Sequence, residues 1–186
     1  QRVSYTGDLG YEIYCDPICQ PTLFQMLWAA GKEFDMQPFG MRAMMSLRLD
    51  KFFGSWQREF SPDYTAAETG LERFISFKKN ADFIGRAAAE QERRNGAGRT
   101  LCVFEINADD SDVVAYEPIF VGDDVVGFCT SGGYSHYAEK SIAMGFLPTE
   151  MVRPDIKVEI EILGKRHTAK KIEAPLFDAD GARMRG

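Results

Sequence analysis

Lys157-Val158-Glu159-Ile160-Glu161-Ile162-Leu163 alternates charged and apolar residues from Lys157 to Ile162, and Gly164-Lys165 then leads into Arg166–Glu173. Successive side chains on a strand point to opposite faces, so a period of two gathers Val158, Ile160 and Ile162 on one buried face and leaves the glutamates to water. Upstream, Ser141 to Leu147 predicts another strand. Ile119-Phe120-Val121 and Val125 to Thr130 flank Gly122-Asp123-Asp124 as a second hairpin, and Leu101 to Ile106 supplies one more strand. Short strands at this spacing predict a small barrel or sandwich over residues 99–186.

Residues 1–98 read as mixed helix and strand. Apolar positions 23, 24, 27, 28, 30 and 34 have helical spacing, which predicts a helix from Thr22 to Phe34. Residues 40–52 predict a second helix, polar on the side of Arg42 and Asp50, with its methionines as core filling. Phe83 to Arg94 predicts a third, with Asp82 as N-cap and Gly96 as its stop. Arg93-Arg94-Asn95-Gly96-Ala97-Gly98 reads as a helix end followed by a linker. The fold class is therefore α+β, with an α+β part over 1–98 and a β part over 99–186.

Composition narrows the function. The 186 residues carry 22 Lys+Arg against 28 Asp+Glu, a net charge of −6, most of it in residues 99–186. A nucleic-acid or anionic-membrane binder needs a basic face, so neither is expected as a partner. No apolar run is long enough to cross a bilayer. Two histidines, and four cysteines with no CxxC, predict no metal site. Scattered cysteines read as reduced thiols, which points to a cytoplasmic setting. The chain begins at Gln1 inside a strand-like run, the expected look of a piece of a longer protein.

Chemistry could reside in four places. In Tyr5-Thr6-Gly7-Asp8-Leu9-Gly10-Tyr11-Glu12-Ile13-Tyr14, a hairpin turning at Gly7–Gly10 would set Tyr5 opposite Glu12 on one face. An aromatic ring beside a carboxylate suits a flat, nitrogen-rich heterocycle, with the carboxylate accepting two N–H bonds from an aminopyrimidine edge. A Tyr that packs and a Glu that is merely solvated fit the same spacing. In the segment 40–51, Arg48 is either solvated or paired with an acid or a ligand carboxylate. Trp56, before the Ser61-Pro62-Asp63 turn, is a stacking wall or a core residue, with core the default. Thr130–His136 is glycine-rich but is not a phosphate loop, and His136 has no second ligand near it.

At these segments the chain resembles the aminomethyltransferase (glycine-cleavage T-protein) family. Ser4-Tyr5-Thr6-Gly7-Asp8-Leu9-Gly10-Tyr11-Glu12-Ile13-Tyr14 is similar to the family's SYTGELGYE(I/L)Y signature. Ser46–Lys51, Glu68–Leu71, Asp82–Arg86, Thr130–Tyr134 and the closing Arg183–Gly186 follow in the family's order. The resemblance is strongest to the folate-binding C-terminal region of dimethylglycine and sarcosine dehydrogenases and their stand-alone aminomethyltransferase relatives. It implies a partial folate-binding fold followed by a C-terminal β-barrel. It also implies tetrahydrofolate as cofactor and transfer of a one-carbon unit from a small N-methyl or aminomethyl donor, and a flavin-dependent oxidase or dehydrogenase domain or subunit becomes a possible partner. Carried over residue by residue, Tyr5 and Glu12 are folate contacts, Glu12 gripping the pterin, with Ile13 and Tyr14 in the same segment. The acidic residue that assists transfer lies upstream in the family, so no catalytic residue is assigned.

Departures sharpen the comparison. Asp8 stands where the turn usually has Glu. Met44 stands where T-proteins place an Arg on the folate tail, which leaves Arg42 or Arg73 as substitutes and favours the dehydrogenase-associated branch. A non-catalytic folate-binding module and a folate-dependent O- or S-methyl demethylase are the competing readings.

Overall fold

The computed structural model describes all residues from Gln1 to Gly186. Six strands form its second part: β1 Arg99–Ile106, β2 Pro118–Val121, β3 Asp124–Ser135, β4 Lys140–Pro148, β5 Lys157–Ile162 and β6 Lys165–Ile172. They run β1-β4-β3-β2-β5-β6 and close into a barrel, with β6 returning antiparallel to β1. Of the two architectures expected from the alternation, the barrel forms. Its interior takes one face of each strand, including Phe104, Ile119, Cys129, Ala143, Ile160 and Ala169. β3 is longer than the sequence suggests, because the glycine-rich run continues it to Ser135 past a bulge between Cys129 and Ser131.

β4 is buried on both faces. Ala143 and Leu147 point into the barrel, while Ile142 and Met144 point outward and are covered by Leu49. An antiparallel strand with one solvated face would show polar residues there. The apolar outer face of β4 thus requires a cover, and helix α2, Met41–Asp50, supplies it.

The other helices are α1 Gln20–Gly31, α3 Arg86–Asn95 and the short α4 Ala182–Arg185. No helix is long and apolar enough to cross a membrane. α3 starts later than its spacing predicts: Gly85 adopts a left-handed φ of 87° and occupies the N-cap, and Asp82 bonds the Phe83 N–H instead. α2 reverses part of its expected polarity. Asp50 is buried against the barrel, and Met41 is exposed rather than core.

The N-terminal segment departs most. Residues 2–6 and 11–15 form no strands. The Gln1 amino group donates to the Glu12 carbonyl at 2.8 Å and the Glu12 N–H donates to Gln1 O at 2.9 Å, so Glu12 faces Gln1 and not Tyr5. The intervening loop is held by tertiary contacts instead of a ladder. Gly7, at φ 93°, gives its N–H to Ser4 Oγ and packs so closely on Lys51 that a Cβ would lie 2.7 Å from its Cγ. Asp8 is taken by Arg183, at 2.5 Å.

Candidate functional site

Glu12, Ile13 and Tyr14 line one shallow cleft of about 410 Å³ with Gln1 and Tyr11. The Tyr14 hydroxyl donates to Glu12 Oε2 at 2.6 Å. That bond and the charge of Glu12 raise the Tyr14 phenol above its ordinary value. It also fixes one carboxylate oxygen while leaving lone pairs on both free to accept. An exposed carboxylate held by one aromatic hydroxyl and flanked by a second aromatic, Tyr11, is the arrangement an N–H-rich heterocycle edge needs.

Tyr5 is not in this cleft. Its ring lies nearly parallel to Phe53 with centroids 6.5 Å apart, and its hydroxyl reaches Gly54 O at 3.4 Å. Burial raises its pKa, the Arg48 charge lowers it, and Glu59 raises it again. The structure therefore separates Tyr5 from Glu12, which the sequence reading had placed face to face.

Trp56, two residues after the Gly54 whose carbonyl meets the Tyr5 hydroxyl, is 83% exposed and edge-on to Phe60, so it is not the core residue that is its default reading. Arg42 is exposed on the first turn of α2. Arg73 is exposed elsewhere, donating to Gly70 O and lying over the Phe74 ring. The candidate residues thus fall into a Glu12–Tyr14 cleft, Tyr5 against the loop that leads to Trp56, and two separate arginines.

The acid that Arg48 was expected to pair with lies in a polar node beneath Tyr5, and sequence reasoning did not identify it as Glu59. Arg48 and Glu59 form an ion pair at 3.4 Å with both side chains fully buried. Arg48 Nη1 also donates to Phe53 O at 3.0 Å. Glu59 accepts from Ser55 N at 2.8 Å and from the Thr130 and Ser131 hydroxyls of β3, each at 2.5 Å. The separation of eleven residues hides this pair, since only the folded loop brings Glu59 back to α2. Tyr11 was also missed as a lining residue, though it lay inside the quoted segment.

Two family models match stretches of the chain. Residues 1–79 match the GCVT N-terminal domain, and residues 99–178 match the glycine cleavage T-protein C-terminal barrel domain. The chain is 39% identical over 184 residues to the mitochondrial dimethylglycine dehydrogenase of Mus musculus, covering 99% of this chain and 21% of that protein. It is 34% identical over 176 residues to an aminomethyltransferase of a Geobacillus species, covering 95% and 48%. The crystal structure of glycine cleavage system aminomethyltransferase T from Bartonella henselae superposes with a TM-score of 0.85 at 24% identity, over 96% of this chain and 49% of that one. This likeness shows the fold. The chain spans less than half the length of each of these relatives.

Proposed function

We propose a function from one premise: this chain belongs to the glycine cleavage T-protein family. In our reading it forms the folate-holding part of a tetrahydrofolate-dependent one-carbon transferase. The observation that carries this is the Glu12–Tyr14 pair in its shallow cleft, a carboxylate with free lone pairs set among aromatic rings. These residues fit the pterin: Glu12 accepts from its N–H edge, while Tyr11 and Tyr14 cover its faces. Bound tetrahydrofolate supplies N5 and N10 as acceptors of the one-carbon unit. The residues of this chain orient that acceptor, and none acts as a covalent nucleophile.

The donor, in this reading, is a small N-methylated amine, and the partner a flavin-dependent oxidase or dehydrogenase domain. The higher identity to a dimethylglycine dehydrogenase supports this, as does Met44, half-buried on α2 where T-proteins carry Arg. With no arginine at Met44, exposed Arg42 on the same helix is the group we assign to the folate tail.

Calorimetric titration of the intact protein with 5-formyltetrahydrofolate, a stable reduced folate, tests the site. Glu12→Gln removes the charged acceptor of a desolvated donor edge and is expected to cost about 2–4 kcal/mol of binding. Wild-type affinity in Glu12→Gln would sink the assignment.

A further inference from the structure

The Arg48–Glu59 pair is an unusual way to hold a helix on a barrel. Both side chains are fully buried, yet Arg48 Nε and Nη2 have no hydrogen-bond partner. Buried ion pairs are poor stabilisers compared with apolar packing, and orphaned buried donors add to the cost. Such a group in a native fold calls for an explanation other than stability.

Its bonds point to one. Arg48 grips the Phe53 carbonyl and Glu59 grips the Ser55 N–H, so the pair fixes both ends of the loop 53–55. Between those ends, Gly54 offers its carbonyl to the Tyr5 hydroxyl, and Phe53 offers its ring to Tyr5. A Cβ on Gly54 would lie 2.8 Å from Glu59 Cβ and 2.6 Å from Phe60 Cζ, so the loop closes over Glu59 only because residue 54 lacks one. Trp56 follows directly, exposed on the same loop. On its far side, Glu59 Oε1 accepts from Thr130 and Ser131 at the β3 bulge. The bulge turns two consecutive hydroxyls onto one carboxylate oxygen, which a regular strand, alternating its faces, does not do.

We infer that Arg48 and Glu59 are positioning residues: a buried strut, braced on the barrel, that sets Tyr5 and Trp56 for the part of the bound folate that extends beyond the Glu12–Tyr14 cleft. This rests on the folate reading above. It extends that reading to residues that never touch the ligand, and it gives the barrel a part in binding.

The test is a double-mutant cycle on the intact protein, with 5-formyltetrahydrofolate as the probe and calorimetry as the readout. Glu59→Gln keeps the volume but loses an acceptor for Ser55 N–H and Arg48, and should weaken binding about tenfold, against about threefold for Tyr5→Phe. Because both act through the same loop, the double variant should bind no more weakly than Glu59→Gln alone. Multiplying effects, or an unchanged dissociation constant in Glu59→Gln, overturn the strut. Ile160→Val, a core truncation in β5, is the stability control. If it weakens folate binding as much as Glu59→Gln, the effect is general destabilisation and the inference falls. Should Glu59→Gln not fold, Ser131→Ala removes one brace from Oε1 and should weaken binding about threefold, and wild-type affinity there overturns the strut equally. Failure of the wild-type protein to bind the probe overturns the folate reading itself. Wild-type binding that is sensitive to Glu12→Gln but not to Glu59→Gln overturns the strut alone.

Discussion

Gly145 shows how tightly single positions are set in the barrel. A Cβ there would lie 2.7 Å from Phe128 O and 2.9 Å from Ile119 Cδ1, so the residue opposite Cys102 and Cys129 must be glycine. Gly145→Ala should cost about 3 kcal/mol and lower the melting temperature by roughly 6–12 °C, as thermal denaturation would show. The cysteines give a second expectation. Burial pushes the Cys102 thiol up to about 11, and Cys129, enclosed in the barrel, is raised further in the same way. Cys15 and Cys19 are exposed. A thiol reagent at neutral pH should therefore modify Cys15 and Cys19 rapidly in the native protein and reach Cys102 and Cys129 only on unfolding. Rapid native labelling of Cys129 would show that the barrel opens. At this scale the sequence was partly legible. Glu12 and Tyr14 stood in a readable segment, whereas Glu59 met Arg48 only through a loop whose closure depends on Gly54.

At the scale of elements, the barrel strands were readable because their alternation is a local signal. The N-terminal hairpin was misread because its alternation-like run is captured by other parts of the chain. Lys51, at the end of α2, reaches Asp178 O at 2.5 Å and its carboxylate at 3.6 Å, and Arg183 pairs with Asp8. Asp178 also caps α4 through the N–H groups of Ala182 and Arg183, at 3.0 and 3.1 Å. These contacts clasp the loop 4–9 between α2 and the C-terminal segment, and a two-strand ladder of five residues a side is too weak to compete with them. Burial alone would raise the Asp178 carboxyl, but the Arg183 and Ala182 N–H groups and the charge of Lys51 together lower it below its ordinary 3.8. A lowered carboxyl contributes stability that is present above its unfolded pKa and is lost as pH falls through the folded value. Titration below pH 4 should therefore release the clasp. The protection factors of the Ala182 and Arg183 amides, with the intrinsic pH dependence of exchange divided out, should fall there, and in Asp178→Asn they should be low already at pH 7. If wild-type protection factors at these amides are as high at pH 3 as at pH 7, the carboxylate is not what holds the clasp.

On the scale of the whole molecule, order is unevenly distributed. The barrel and the α2 face of β4 contain nearly all of the buried apolar residues. α1 packs against the single turns that flank it, and only Gly31 within it is buried. Phe24, Met26 and Leu27 on α1 are exposed, as are Phe34 and Phe39 beyond it. The helix was legible from its spacing, since periodicity reports an apolar face whether or not a partner covers it. What the spacing could not show is where that face would be buried. A helix of this length without tertiary packing is marginal in water. Within these 186 residues, then, hydrogen exchange should separate two classes of amide. Those of β1, β3 and β4 should exchange only through global unfolding, with opening free energies near the full stability of the fold. Those of α1 should exchange through local fraying, with opening free energies near zero. The buried strut lies on the barrel side of this divide, because Glu59 is bonded to Thr130 and Ser131 of β3. The Ser55 amide, which donates to Glu59, should accordingly share the slow class with β3 although it sits in a loop. Protection of Ser55 that matches α1 instead of β3 would mean that the loop moves independently of the barrel.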